Sequence, residues 1–132
     1  MRCRRDRRLS DDSGSAVVDF TLVGILLTFL FLALLQLGLA LHVRNTLIAS
    51  AAEGARYGAN ADRAPSDGAA VTRQLIRDSL ADSFADDVTS GTETVDGVVT
   101  VVVRVKARLP VFGLLGPPRG ISVRGHALEE ER

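Results

Sequence analysis

Between Asp19 and Arg44 the chain reads FTLVGILLTFLFLALLQLGLALHV, an apolar run from Phe20 to Val43 in which His42 is the only ionisable residue. As an α-helix, its 24 residues would be roughly 36 Å long. A bilayer's hydrocarbon core is about 30 Å thick and is spanned by about 20 apolar residues. A lone segment in lipid must satisfy its backbone hydrogen bonds internally, so it must be helical. The apolar side chains cover every face of such a helix, and a domain this small has no interior in which to bury it. The pattern therefore predicts a membrane-spanning helix.

Past Val43 the pattern changes. Arg44 to Ala61, RNTLIASAAEGARYGANA, extends the helix beyond the bilayer as a stalk. Leu47, Ile48, Ala51, Ala52, Ala55 and Ala59 recur every three or four residues and make one narrow face, with Glu53, Arg56 and Asn60 off it. Gly54 and Gly58 form a G-x-x-x-G. Each glycine costs about 1 kcal/mol against alanine in a helix. They imply either close packing against another element or a frayed juxtamembrane helix. Asp62 to Gly68 is a Pro- and Gly-bearing linker. Ser66 or Asp67 is placed to cap a second helix over Ala69–Ala85. Val71, Leu75, Ile76, Leu80 and Phe84 form its apolar face, and Arg73, Arg77, Asp78 and Asp82 face water.

From Thr89 the period becomes two. Asp96-Gly97 is a hairpin turn signal between strands Thr89–Val95 and Val98–Leu109. In the second strand Val99, Val101, Val103, Val105, Ala107 and Leu109 point to one face, and Thr100, Arg104, Lys106 and Arg108 to the other. Pro110 ends it. A loop from Val111 to Gly120, carrying Phe112, Leu114 and Leu115, leads to a third strand over Ile121–Glu129 with Ile121, Val123, Gly125 and Ala127 inward. The expected fold class is α+β: a long N-terminal transmembrane helix and stalk, then one helix on a three-stranded antiparallel sheet. The basic outer face of Arg104, Lys106 and Arg108 suits an acidic partner, lipid headgroups or plain solvation that blunts edge pairing.

Charge sets the orientation. The chain has 132 residues and a formal net charge of zero, which gives no nucleic-acid signal. Arg2, Arg4, Arg5, Arg7 and Arg8 all precede the apolar run, whereas only Arg44 and Arg56 follow it closely. Flanks rich in arginine stay cytoplasmic, so the expected topology is N-terminus inside and C-terminal domain outside the cytoplasmic membrane. An arginine run can also be a nucleic-acid tail, but the adjacent apolar run favours topogenesis. Ala49-Ser50-Ala51 has the form of a signal-peptidase site. The apolar run far exceeds the roughly 7 to 15 residues of a removable signal, so a signal anchor is favoured. Cys3 is the only cysteine, which excludes an intramolecular disulfide.

Catalytic chemistry has little to stand on. The two histidines, His42 and His126, have no cysteine or carboxylate at metal-ligand spacing beside them. No glycine-rich loop opens a helix as a phosphate site would require. The expectation is no enzyme activity, no cofactor, no metal, no nucleic-acid partner and no small-molecule substrate.

The junction ahead of the run reads Gly14-Ser15-Ala-Val-Val-Asp19-Phe20. Asp19 can be read as a headgroup-level carboxylate favoured by the helix macrodipole. Its spacing from Gly14 also resembles the class III signal of type IV pilin-like proteins, followed here by the long apolar helix. Together with Ala51-Ala52-Glu53-Gly54-Ala55-Arg56-Tyr57-Gly58-Ala59, the order of features resembles the TadE-like family, pseudopilin-like proteins of the tight-adherence (Flp) pilus assembly system. The family's stretch is of the form A-A-x-E-G-A-R, and this chain lacks one residue between the alanines and Glu53. The resemblance covers about Gly14 to Ala61.

It implies a pseudopilin or minor pilin acting in pilus assembly. A prepilin peptidase would cut after Gly14, and Asp19 would pair with the new amine of Ser15 during assembly with other pilin-like subunits and the assembly platform. Glutamate is usual at that position, so Asp19 shortens the reach by one methylene. The implied organisation is a basic cytoplasmic leader at 1–14, the transmembrane helix and stalk at 15–61, a linker at 62–68, and an extracytoplasmic α+β domain at 69–132. The alternative is an unprocessed single-pass protein whose outer domain binds something unrelated; a small secreted hydrolase is the remote third reading.

Overall fold

A computed structural model describes residues 12–108 and 120–129. Six elements follow one another: α1 (Asp12–Ala59), α2 (Pro65–Ser79), a 3-10 turn (Asp82–Ala85), β1 (Asp87–Val95), β2 (Val98–Arg108) and β3 (Gly120–Leu128). The chain divides into two compact units between Leu39 and Ala40, and α1 contributes to both. In the first unit, every described side chain from Gly14 to Leu39 is exposed, including the large apolar ones. α1 is long and apolar enough to cross a membrane, and none of its most apolar window is buried. A helix apolar all round with nothing packed on it is stable only in an apolar medium.

The second unit is a helix pair on one face of an antiparallel sheet ordered β1-β2-β3. Together with the long apolar helix this is the α+β class read from the sequence. Asp96 and Gly97 both take positive φ, 51° and 82°, as a two-residue type I′ hairpin turn requires. Val101, Val103, Val105 and Ala107 of β2 are buried, as the alternation predicts. They share the core with Val88 of β1, Val123 of β3, Leu47 and Ala51 of α1, Ile76 of α2 and Phe84 of the 3-10 turn.

Val43, Leu47, Ser50, Ala51, Gly54, Ala55, Gly58 and Ala59 are the buried positions of α1. The expected stalk is therefore also a core element of this unit. The face is slightly rotated from the expected one, because Ile48 is 39% exposed and Ala52 only half-buried. Its two glycines meet α2. A Cβ built on Gly54 would lie 1.8 Å from Thr72 Oγ1 and 2.5 Å from the Gly68 carbonyl oxygen. One on Gly58 would lie 3.3 Å from backbone atoms of Ala64, Pro65 and Gly68. Against the sheet, a Cβ on Gly125 would lie 2.2 Å from the Ala51 carbonyl. The close-packed reading of the G-x-x-x-G thus holds, and frayed ends do not describe it.

Several local expectations are corrected. The second helix starts at Pro65, not Ala69, because Pro65 takes the first helical position, where its missing N–H costs nothing. Asp67 is not the cap residue. It is the third helical residue, and its carboxylate accepts from the Ala64 N–H at 3.0 Å while the Ala64 carbonyl accepts from the Asp67 N–H at 2.9 Å. The helix ends at Ser79, and Asp82–Ala85 form a separate 3-10 turn. Arg73 does not simply face water: it is half-buried and donates to the Val88 carbonyl at 2.6 Å, tying α2 to β1. On β2, Thr100 and Val102 are buried although they face away from the helices, since strands on both sides flank the central strand. Val99, expected inward, is 45% exposed near the hairpin end. Expectations for the tail arginines, Cys3, Leu109, Pro110, Phe112, Leu114 and Leu115 fall outside the described residues.

Replacement of these glycines tests the packing. Gly125→Ala and Gly54→Ala should each destabilise the second unit by about 1–3 kcal/mol, since a Cβ would meet backbone at Gly125, and both the Thr72 side chain and the Gly68 carbonyl at Gly54, so the elements must part. Gly91→Ala, whose Cβ would meet nothing within 4 Å, should stay within about 0.5 kcal/mol of the parent. Urea unfolding of the full chain in mild detergent, followed by circular dichroism, reads the difference. Equal stabilities would mean the close approach is not tight.

Candidate functional site

Two stretches of α1 carry the candidate residues. The first is the junction. Gly14, Ser15, Asp19 and Phe20 all lie in the helix and are exposed, Phe20 at 81%. Gly14 lies in the first turn of α1, and a Cβ on it would meet nothing within 4 Å, so no packing among the described residues demands glycine there. Ser15 and Asp19 are four residues apart and share one helix face. Asp19 has no ion pair among the described residues, and it stands at the threshold of the apolar run.

The second stretch divides by chemistry. Ala51, Gly54, Ala55 and Gly58 are buried, and Ala52 half-buried. They form the surface that lets α2 and β3 come close. Glu53 and Arg56 are exposed and face each other at 4.0 Å as an i,i+3 pair. A pair so open to solvent contributes little. The adjoining Tyr57 ring lies under the Arg63 guanidinium at 4.7 Å, which ties the end of α1 to the turn after it. The stretch is thus a packing surface with a charged rim, and it contains no reactive group.

The partners of these small residues were not read from the sequence. Gly68 and Thr72 form a small-x-x-x-small pair on α2, and Thr72 Oγ1 donates to the Gly68 carbonyl at 2.8 Å with the Ser50 carbonyl at 3.3 Å. That spacing is the signal that would have found them. Gly125, a glycine inside an alternating strand, marks a close backbone approach.

On the sheet's outer face Arg104 stands opposite Arg124 in register and pairs with Glu93 of β1. Two shallow depressions lie there. One of about 100 Å³ is bordered by Gly91, Glu93, Val102 and Arg104, and one of about 490 Å³ by Val95, Val98, Thr100, His126 and Leu128. Among the described residues, no group of three or more His, Cys, Asp or Glu is placed to hold a metal ion.

No curated protein and no solved structure matches the chain. Residues 14–56 match the model of the TadE-like protein family, the family that the junction and the alanine–glycine–arginine stretch resemble. The match opens on Gly14 and closes on Arg56, so it contains the junction, the apolar run and the second stretch as far as Arg56, while Gly58 lies just beyond it. The family is one of pilus-associated membrane proteins, and α1 is long and apolar enough for that setting. From Gly14 to Arg56 this chain carries a TadE-like segment.

Proposed function

We propose that the protein is a pseudopilin or minor pilin, anchored by one span, that takes part in assembly of a tight-adherence pilus. The observation that carries this reading is Gly14. It is a helical glycine with no packing role among the described residues, five residues before Asp19, at the first residue of the TadE-like match. A peptidase that needs an unhindered backbone at the bond it cuts supplies the reason that the fold does not. The basic leader, residues 1–14, stays in the cytoplasm, and the α+β domain stands outside. The prepilin peptidase releases the leader. Ser15 then carries the new amine, and Asp19, one turn on, neutralises it in the same or a neighbouring subunit. Either charge alone in a dry helix bundle costs several kcal/mol. Ala51, Ala52, Gly54, Ala55 and Gly58 pack the outer domain, and Glu53 and Arg56 lie on its surface. The other partners are the bilayer, further pilin-like subunits and the assembly platform.

Three outcomes are expected. In membranes containing a prepilin peptidase, intact mass should fall by residues 1–14. Gly14→Leu should block that loss, whereas an unshortened parent chain would favour an unprocessed anchored binding protein. A periplasmic-type reporter fused after Arg132 should be active and a cytoplasmic-type one silent; the reverse pattern would refute the orientation. Asp19→Asn should leave insertion and cleavage intact but lower recovery of pilin-like partners in mild detergent on the order of tenfold. Asp19→Glu should recover them, and partner recovery unaffected by the asparagine would reduce Asp19 to a membrane-edge residue.

A further inference from the structure

Gln36 is the one side chain within the apolar run, up to Leu41, whose hydrogen-bonding groups α1 leaves unmet. The hydroxyls of Thr21 and Thr28 donate to the carbonyls of Val17 and Gly24, each at 2.8 Å, and so need nothing from outside the helix. Gln36 is exposed and has no hydrogen-bond partner among the described residues. It lies in the first unit, four residues before Ala40, where the second unit begins. Helical side chains slant toward the helix N-terminus, so the Gln36 amide is directed back along the apolar run and not toward the second unit. An unpaired amide in an apolar medium is costly, and the remedy in membranes is a hydrogen bond to another helix.

We infer that Gln36 joins two copies of this chain side by side in the membrane, amide to amide. The inference rests on the membrane-spanning reading of α1. Two features make a second copy the occupant. A primary amide carries both donor and acceptor, so two of them at one depth satisfy each other, each N–H donating to the other's carbonyl. Copies inserted with the same orientation are related by a two-fold axis along the membrane normal, which brings Gln36 to the partner's equivalent position. Ala33, three residues before Gln36, lies on the same side of the helix and leaves room for a neighbour to come near. The flanking residues otherwise carry only leucine, phenylalanine and glycine side chains from Phe29 to Leu39, which cannot compete for the amide.

The test uses the full chain labelled separately with donor and acceptor dyes and reconstituted together in phosphatidylcholine vesicles. Flotation with the vesicles comes first: a chain left in the aqueous fraction refutes the spanning reading, and the inference with it. For chain that floats, energy transfer should report association of the parent that unlabelled parent competes away. Gln36→Leu should weaken that association roughly five- to thirty-fold. Leucine makes the run more apolar, so the loss cannot be one of insertion. Gln36→Asn, which keeps an amide, should hold association within a few-fold of the parent. A parent that floats but does not associate, or a Gln36→Leu variant that associates equally, overturns the inference while leaving the spanning reading intact.

Discussion

The second unit depends on backbone meeting backbone. Its largest fully buried side chains are Leu47, Ile76, Val101, Val103, Val105 and Thr72, with Phe84 the aromatic among the described core residues. With short side chains, dispersion contact is made only if the elements come very near, and it is lost steeply as they part. Gly54 against Gly68, and Gly125 against Ala51, are where side chains have been removed to permit this. Thr72 adds a hydroxyl that lies over its own helix's carbonyl and the Ser50 carbonyl, so the polar group brought into the contact is satisfied. The valines of β2 then complete the core from the other side.

The TadE-like match covers one half of each of these contacts. It ends at Arg56, whereas Gly68, Thr72 and Gly125 lie beyond it. The matched segment therefore supplies a docking face of small residues, and the remainder of this chain supplies a helix and a strand shaped to it. The charged residues of the matched stretch, Glu53 and Arg56, play no part in that packing and stay at the surface. In the first unit the apolar side chains have no counterpart among the described residues, a surface suited to lipid or to other helices.

Much of this architecture was legible because it rests on periodicity. The apolar run, the alternating strands and Asp96-Gly97 follow from spacing and turn chemistry alone, and the structure has them close to where those patterns lie. Failures occurred where tertiary context overrides a local sign. Pro65 reads as a breaker, yet at a first helical position it is an initiator. Arg73 reads as a solvent residue, but its long stem lets the guanidinium reach the Val88 carbonyl while lying along the packed surface. Thr100 reads as a surface residue, yet a middle strand is shielded by both neighbours. At the junction, Gly14 and Asp19 could be recognised only by order and spacing, since an exposed glycine and an exposed carboxylate carry no packing signature. Gln36 stood unnoticed within the run, because hydropathy averages away a single amide.

The contact between Gly125 and Ala51 has a bearing on how the chain reaches its fold. It joins β3 to the C-terminal part of α1, 74 residues earlier in the chain. Contacts between residues so distant in sequence form late and slow the search for the native state. Until β3 arrives, Ala51 and one edge of β2 lack their cover, although α1 and α2 are complete early in synthesis. A nascent chain in that interval exposes an unpaired strand edge and part of an apolar sheet face, the features that make folding intermediates aggregate.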